Sequence, residues 1–359
     1  MKVLHIETGR HLYGGALQVF YLLRGLHAAG IENILVCAPG SEIGLKCAGI
    51  ATVVELPTIG DIDPRLLIGL CQTIRRHRPD IVHAHSRRGA DWWGGIAAQF
   101  CGVKSVLTRR VDNPESALLV RLKYNRFDRV VTISEGIRQV LLREGVAEKH
   151  VELIHSVVDL EQYNCPADRP WFEQEFSLCP GEKTVAIIAQ LIERKGHRFL
   201  LAGAEKILAA VPNLRFIFFG QGPQRQELEA DCRARGLAEK VLFAGFRDDL
   251  PRVLPNLDLV VHPALMEGLG VSLLQTAAAG RPMIGARAGG IPEIIRDGVN
   301  GYLVPPEDVT LLADKTIELL LNRELAETFG VNGRALVEKE FSIPAMISSY
   351  QRLYARLLR

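Results

Sequence analysis

The chain has 359 residues, 48% hydrophobic and 23% charged, with a formal net charge of +2. That length exceeds one ordinary core and suits two domains, and so small a charge argues against nucleic acid as a partner. The first ten residues turn polar too soon for a secretory signal, and no run reaches the ~20 apolar residues that cross a bilayer. Seven cysteines, an odd number without a CxxC pair, speak against a disulfide framework and for a reducing, cytoplasmic setting.

From the N-terminus, strand-like runs at residues 3–6, 34–38, 81–84, 105–108 and 129–133 alternate with helical patterns such as 16–29 and 64–77. This is the βαβ rhythm of a parallel sheet covered on both faces. Ligands of such sheets bind beyond the carboxyl ends of the strands. The loop after the first strand ends in Gly14-Gly15, a pair that tolerates positive φ and lets backbone approach a bulky ligand. His83 and His85 are two apart on a predicted strand and so share a face. A metal site there would need a third ligand, which the sequence does not identify. Residues 75–126 hold 11 Lys/Arg against four Asp/Glu. Within them the doublets Arg87-Arg88 and Arg109-Arg110 follow strand ends, where arginine favours phosphate or carboxylate.

A polar, proline-containing stretch at 164–170 interrupts the rhythm, which restarts with predicted strands at 185–189, 215–219, 241–244, 259–262 and 283–285. The loop 189–197 again joins strand to helix and carries Lys195, and a second turn holds Phe246 and Arg247. The most informative block is 258–308. A strand leads into the turn Met266-Glu267-Gly268-Leu269-Gly270, and a short apolar helix runs from Val271 and Ser272 through Gln275. A second strand, a glycine-rich turn and Pro305-Pro306-Glu307-Asp308 complete the block. Strand, glycine turn and helix start make an anion site, because free N–H groups there point toward bound phosphate. Glu267 at its mouth is a poor neighbour for phosphate and a good acceptor for sugar hydroxyls. The combination points to a phosphate-linked sugar. The last segment, 341–359, places Met346, Tyr350, Leu353, Tyr354 and Leu357 at helical spacing.

The order and spacing of the 258–308 block resemble the nucleotide-sugar signature of family-4 glycosyltransferases. These are retaining, group-1 type enzymes of the GT-B fold, including a branch that builds lipopolysaccharide and other cell-envelope glycans. The resemblance implies an α/β chain of two Rossmann-like domains facing a cleft. Residues 1–164 would form the acceptor side and 165–340 the donor side, with 341–359 a helix packing back on the first domain. It also implies metal-independent hexosyl transfer, without a cofactor, from a nucleotide-diphosphate sugar to a glycan or glycolipid hydroxyl. Attack from the front face, with the leaving phosphate taking the acceptor proton, would make orientation and charge stabilisation the source of rate.

On that resemblance Lys195 and Glu267 are the catalytic candidates. Gly14, Gly15, Gln190, Phe246, Arg247, Gly268, Leu269, Gly270, Val271, Ser272 and Gln275 would meet the donor. His85, Arg87, Arg88, Arg109 and Arg110 would meet the acceptor, and their charge predicts an anionic one. Arg352, Arg356 and Arg359 on the last helix leave room for peripheral contact with anionic lipid.

Two departures stand out. The family reads Glu, seven residues, Glu, whereas the second position here is Gln275; its Gly-Arg-Leu reads Ala189-Gln190-Leu191. Arginine to glutamine removes a charge and a bidentate fork, about 1.5–3 kcal/mol of donor contact. Two readings stay open, a transferase branch with altered donor contacts and a degenerate homologue that binds a glycan or a partner transferase. A nucleotide-sugar epimerase would need its own pattern of carboxylates and histidine, which is not seen. A nicotinamide-dependent dehydrogenase would need GxGxxG in the first loop.

Overall fold

A computed structural model of the chain describes residues 1–12, 14–57, 63–85 and 89–359. Its strands are β1 (Lys2–Glu7), β2 (Glu32–Cys37), β3 (Thr52–Glu55), β4 (Ile81–Ala84), β5 (Lys104–Arg109), β6 (Arg129–Thr132) and β7 (Val151–Leu153). After them come β8 (Lys183–Ile188), β9 (Leu214–Phe219), β10 (Val241–Gly245), β11 (Leu259–His262), β12 (Met283–Ala286) and β13 (Tyr302–Val304). They form two parallel sheets, ordered β3-β2-β1-β4-β5-β6-β7 and β10-β9-β8-β11-β12-β13. Helices alternate with the strands, so each unit is Rossmann-like, and the central strands are buried along their length.

The chain divides into two compact units, Met1–Val157 with Ile343–Arg359, and Val158–Ser342. The change therefore falls at Val157, ahead of the proline-containing stretch and not after residue 164. The reason is local: the turn Leu160–Tyr163, with Tyr163 buried, packs on the helices Leu250–Val253 and Val271–Ala278 of the second unit.

In unit 1 the helix Ile343–Leu357 buries Met346, Ile347, Tyr350, Leu353 and Tyr354 in a cluster with Val3, Leu22, Ile81 and Val106. It meets the helix Gly14–Ala28 closely at Gly25, where an added Cβ would stand 2.4 Å from Ile347 Cγ1. In unit 2 the sheet is covered by the helices His197–Ala210 and Val309–Leu321, whose leucines and isoleucines pack on Val185, Phe216, Phe218 and Val261.

Three strands escape the hydrophobic pattern, β3, β7 and β13, and each is a sheet edge. They have three or four residues and are partly exposed, so the continuous apolar run that marks a central parallel strand is missing. Each sheet reverses its strand order once, between β1 and β4 and between β8 and β11. At such a switch point the loops leave in opposite directions and open a crevice at the carboxyl ends. Among the described residues no helix is long and apolar enough to cross a membrane.

Candidate active site

In unit 2 the loops that follow β8 and β11 meet at the switch point. Leu265 N–H donates to the Arg194 carbonyl at 2.8 Å, tying the two loops together. This brings Lys195 Nζ to 2.5 Å from Glu267 Oε2, and His262 Nε2, at the end of β11, to 2.7 Å from the same oxygen. The other oxygen of Glu267 accepts from the Gly268 N–H at 3.1 Å. The Glu267 backbone is held as well: Gly290 N–H donates to its carbonyl, and a Cβ on Gly289 would stand 1.9 Å from that oxygen, so only glycine fits there.

Lys195 is 9% exposed, so it is not a solvated charge at a helix start. An ammonium has three N–H donors, and Glu267 takes one of them. Burial presses the Glu267 carboxyl upward, but the hydrogen bond and field of His262, joined by Lys195, outweigh it and hold the group well below the usual carboxylate range. His197, which opens the next helix, is pulled down to about 3 by burial, then by His262 and Lys195.

The helix Val271–Ala278 starts beside this pair. Gly270 is its N-cap and no side chain caps it, so the helix start keeps its positive end open, with Val271 and Ser272 as its first residues. Leu269 is buried. Gln275 lies one turn further on, half-buried, and its amide makes no hydrogen bond with the described residues. Gln190 is exposed in the loop after β8. Phe246 is exposed next to Gly245, whereas Arg247 is engaged, bidentate to Asp249 at 2.7 and 2.6 Å and bonded to Glu175 at 2.6 Å.

Unit 1 has a cavity of about 310 Å³ beyond the ends of β1, β4 and β5, lined by Glu7, Gly15, His85, Thr108 and Arg110 among others. Gly14 is the exposed first residue of its helix, and Gly15 borders the Arg110 side chain. The arginine doublet at 109–110 splits in the structure. The Arg109 side chain is 2% exposed. It donates to the Val111 and Asn113 carbonyls, to the Tyr124 hydroxyl and to Glu144 at 3.0 Å. Arg109 borders the same cavity, but against the expectation that it is open to an anionic acceptor, these internal acceptors take four of its five N–H donors. Arg110 is different. Its Nη1 reaches Ser156 Oγ only at 3.5 Å, and its buried Nε has no partner. Arg87 and Arg88 lie outside the described residues.

His83 and His85 do have a third neighbour, His5. It sits on β1 in register with His83 of β4, and one ring nitrogen from each of the three lies within 4.8 Å of the others. Sequence spacing could not find it, because the contact depends on which strand lies beside β4. The same holds for His262, which sequence analysis leaves out although it shares the Glu267 oxygen. For both, a histidine at or near the carboxyl end of a predicted strand is the available signal.

Two Rossmann-like parallel sheets in one chain, each with its side-chain cluster at a switch point, make up a protein of the GT-B class. Residues 169–336 match the family of glycosyl transferases group 1, and residues 13–162 match glycosyltransferase family 4. The chain belongs to these group 1 glycosyltransferases. The N-acetyl-alpha-D-glucosaminyl L-malate synthase of Bacillus anthracis is 26% identical over 306 residues, 83% of this chain and 80% of that protein. The lipopolysaccharide core biosynthesis glycosyltransferase LpsE of Rhizobium meliloti is 26% identical over 367 residues, 99% of each. Among solved structures, Anabaena HepE in complex with UDP-glucose has the same fold, with a TM-score of 0.84 at 20% identity over 99% of this chain and 100% of that one.

Proposed function

We propose that this chain is a retaining glycosyltransferase that moves a sugar from a nucleotide diphosphate to a hydroxyl of an anionic glycan or glycolipid acceptor. Its setting is the cytoplasm, or the inner face of the membrane, in cell-envelope polysaccharide or lipopolysaccharide synthesis. The observation that carries the reading is Lys195, buried at the switch point of unit 2 beside an uncapped helix start. Its two remaining donors and the helix-start amides suit a diphosphate, and would stabilise the charge that grows on the departing phosphate. Glu267, kept ionised, suits the hydroxyls of the transferred sugar.

In this reading Lys195 supplies the positive charge that a metal would otherwise bring, so EDTA leaves turnover unchanged; restoration by Mn²⁺ or Mg²⁺ after chelation would remove that part. A lipopolysaccharide-core relative supports the envelope setting, and a relative named for L-malate supports an anionic acceptor. Gln190 and Gln275 favour a second reading, a non-catalytic homologue with a weakened donor site.

Thermal unfolding with UDP, GDP, ADP and dTDP separates the two. A nucleotide at ~100 times its Kd stabilises by about 2.7 kcal/mol. One responder is expected, and Lys195→Met should weaken it by about one to two powers of ten, the loss of a charged contact. No response from any nucleotide, followed by turnover that appears only in Gln190→Arg/Gln275→Glu, would establish the second reading.

A further inference from the structure

Unit 2 has a cavity of about 370 Å³ at the opposite end of its sheet from Lys195 and Glu267. Lys183 at the start of β8, Asp258 just before β11 and Arg281 just before β12 line it. It therefore lies at the amino ends of the strands, away from the switch-point crevice where ligands of such sheets usually bind. Leu319, Arg323 and Glu327, from the two helices that follow β13, also line it. The second of these helices, Arg323–Glu340, packs tightly on the turn before Arg281. An added Cβ on Gly330 would stand 2.1 Å from the Gly280 carbonyl oxygen.

The charges around the cavity are unevenly paired. Asp258 Oδ2 accepts from the Thr184 N–H at 2.8 Å and from its hydroxyl at 2.9 Å, with Arg169 3.6 Å away. Glu327 Oε1 accepts from Arg323 at 2.6 Å. Lys183 gives one of its three donors to the Leu320 carbonyl. Arg281 is left over. Its side chain is partly buried and makes no hydrogen bond with the described residues, and its Nε is fully enclosed without a partner. Burial lowers its affinity for the proton, and the fields of Asp258 and Glu327, set against Arg169, do not restore it. A guanidinium stays charged at neutral pH all the same, so this one is desolvated without a hydrogen-bonded counter-ion.

We propose that this cavity binds a phosphate group, free or on a small phosphomonoester, with Arg281 as the main contact and Lys183 as a second cation. A planar fork of N–H donors matches phosphate oxygens in a bidentate way, and the neighbouring ammonium answers the second negative charge. The cavity is larger than a bare phosphate, and Leu319 offers an apolar wall to an attached carbon skeleton. The site is separate from the Lys195–Glu267 pair and does not depend on the reading given to that pair. The competing use of Arg281 is structural, a cation that holds Asp258 and Glu327 through space.

The test is calorimetric titration of the full chain with inorganic phosphate and, separately, with glycerol 3-phosphate. Saturable binding is expected, weakened about tenfold or more by Arg281→Met and unchanged in Lys195→Met. Arg281→Lys keeps the charge and loses the fork, so it should fall between parent and Arg281→Met and guards against a folding failure. Tighter binding of glycerol 3-phosphate assigns the site to a phosphomonoester, and equal binding assigns it to free phosphate. Without either ligand, Arg281→Met should melt at or above the Tm of the parent, because it removes a charge that has no hydrogen-bonded partner. The absence of saturable binding, or binding that Lys195→Met abolishes and Arg281→Met keeps, would overturn the proposal. So would a Tm of Arg281→Met well below that of the parent, the mark of the structural role.

Discussion

The two switch points share a topology and differ in chemistry. At β8/β11 charge is concentrated and balanced, since Lys195 and His262 meet one carboxylate oxygen. At β1/β4 three buried rings lie together, His5 bonded to His85 and His83 to Tyr354 and Thr108, and the nearby cation, Arg110, has an unpartnered nitrogen. The same crevice can therefore be tuned for a highly charged ligand or for a hydroxyl-bearing one by which residues stand on two adjacent strands. Parallel pairing supplies the location and side chains supply the selectivity.

The largest effect should come from separating the two arginines. Arg109→Met leaves Glu144 buried without its ion pair and should cost about 3–5 kcal/mol of stability, seen as a lower Tm with the acceptor KM little changed. Arg110→Met should do the reverse, with a Tm near that of the parent and a raised acceptor KM. Equal behaviour of the pair would erase the distinction between structural and open cations in unit 1.

Next comes the carboxylate of unit 2. Glu267→Gln removes a charged hydrogen-bond partner from Lys195 and His262, worth about 1.5–3 kcal/mol at neutral pH. Because the folded carboxyl is held below its ordinary value, this stabilisation is present in full above pH about 4.3 and is lost as the pH falls through the depressed folded value. Chemical denaturation at pH 7 and pH 3 should therefore show a gap between parent and variant that narrows in acid. A gap that widens in acid would contradict the ion-pair description.

The smallest effect isolates unit 1. Gly25→Ala pushes on Ile347 and should cost about 1–3 kcal/mol by overpacking. Nucleotide affinity, which the proposed function places in unit 2, should stay as it was.

How much of this was legible beforehand follows from the range of the signals. Central strands and the turn around Glu267 announce themselves by short-range patterns, and the structure has strands at all ten predicted places. Edge strands such as β13 bury too little to leave a hydrophobic run. Arg109 and Arg110 are indistinguishable in sequence, because the backbone carbonyls and Glu144 that engage the first come together only in the folded unit. His5 and His262 matter through partners across a strand boundary or within one turn of loop. Spacing carries none of that.

The helix Ile343–Leu357 has a consequence for the order in which the protein comes into being. Unit 1 takes residues from both sides of unit 2, so on the ribosome its sheet waits while Val158–Ser342 is made. Domains fold as units as they emerge. During that interval Tyr350 and Tyr354 do not yet exist, and Thr108 and His83 lack the hydroxyls they bond in the finished molecule. Unit 2, contiguous in sequence, can close first, while the nascent unit 1 leaves uncovered the apolar surface around Val3, Leu22, Ile81 and Val106 that its last helix fills.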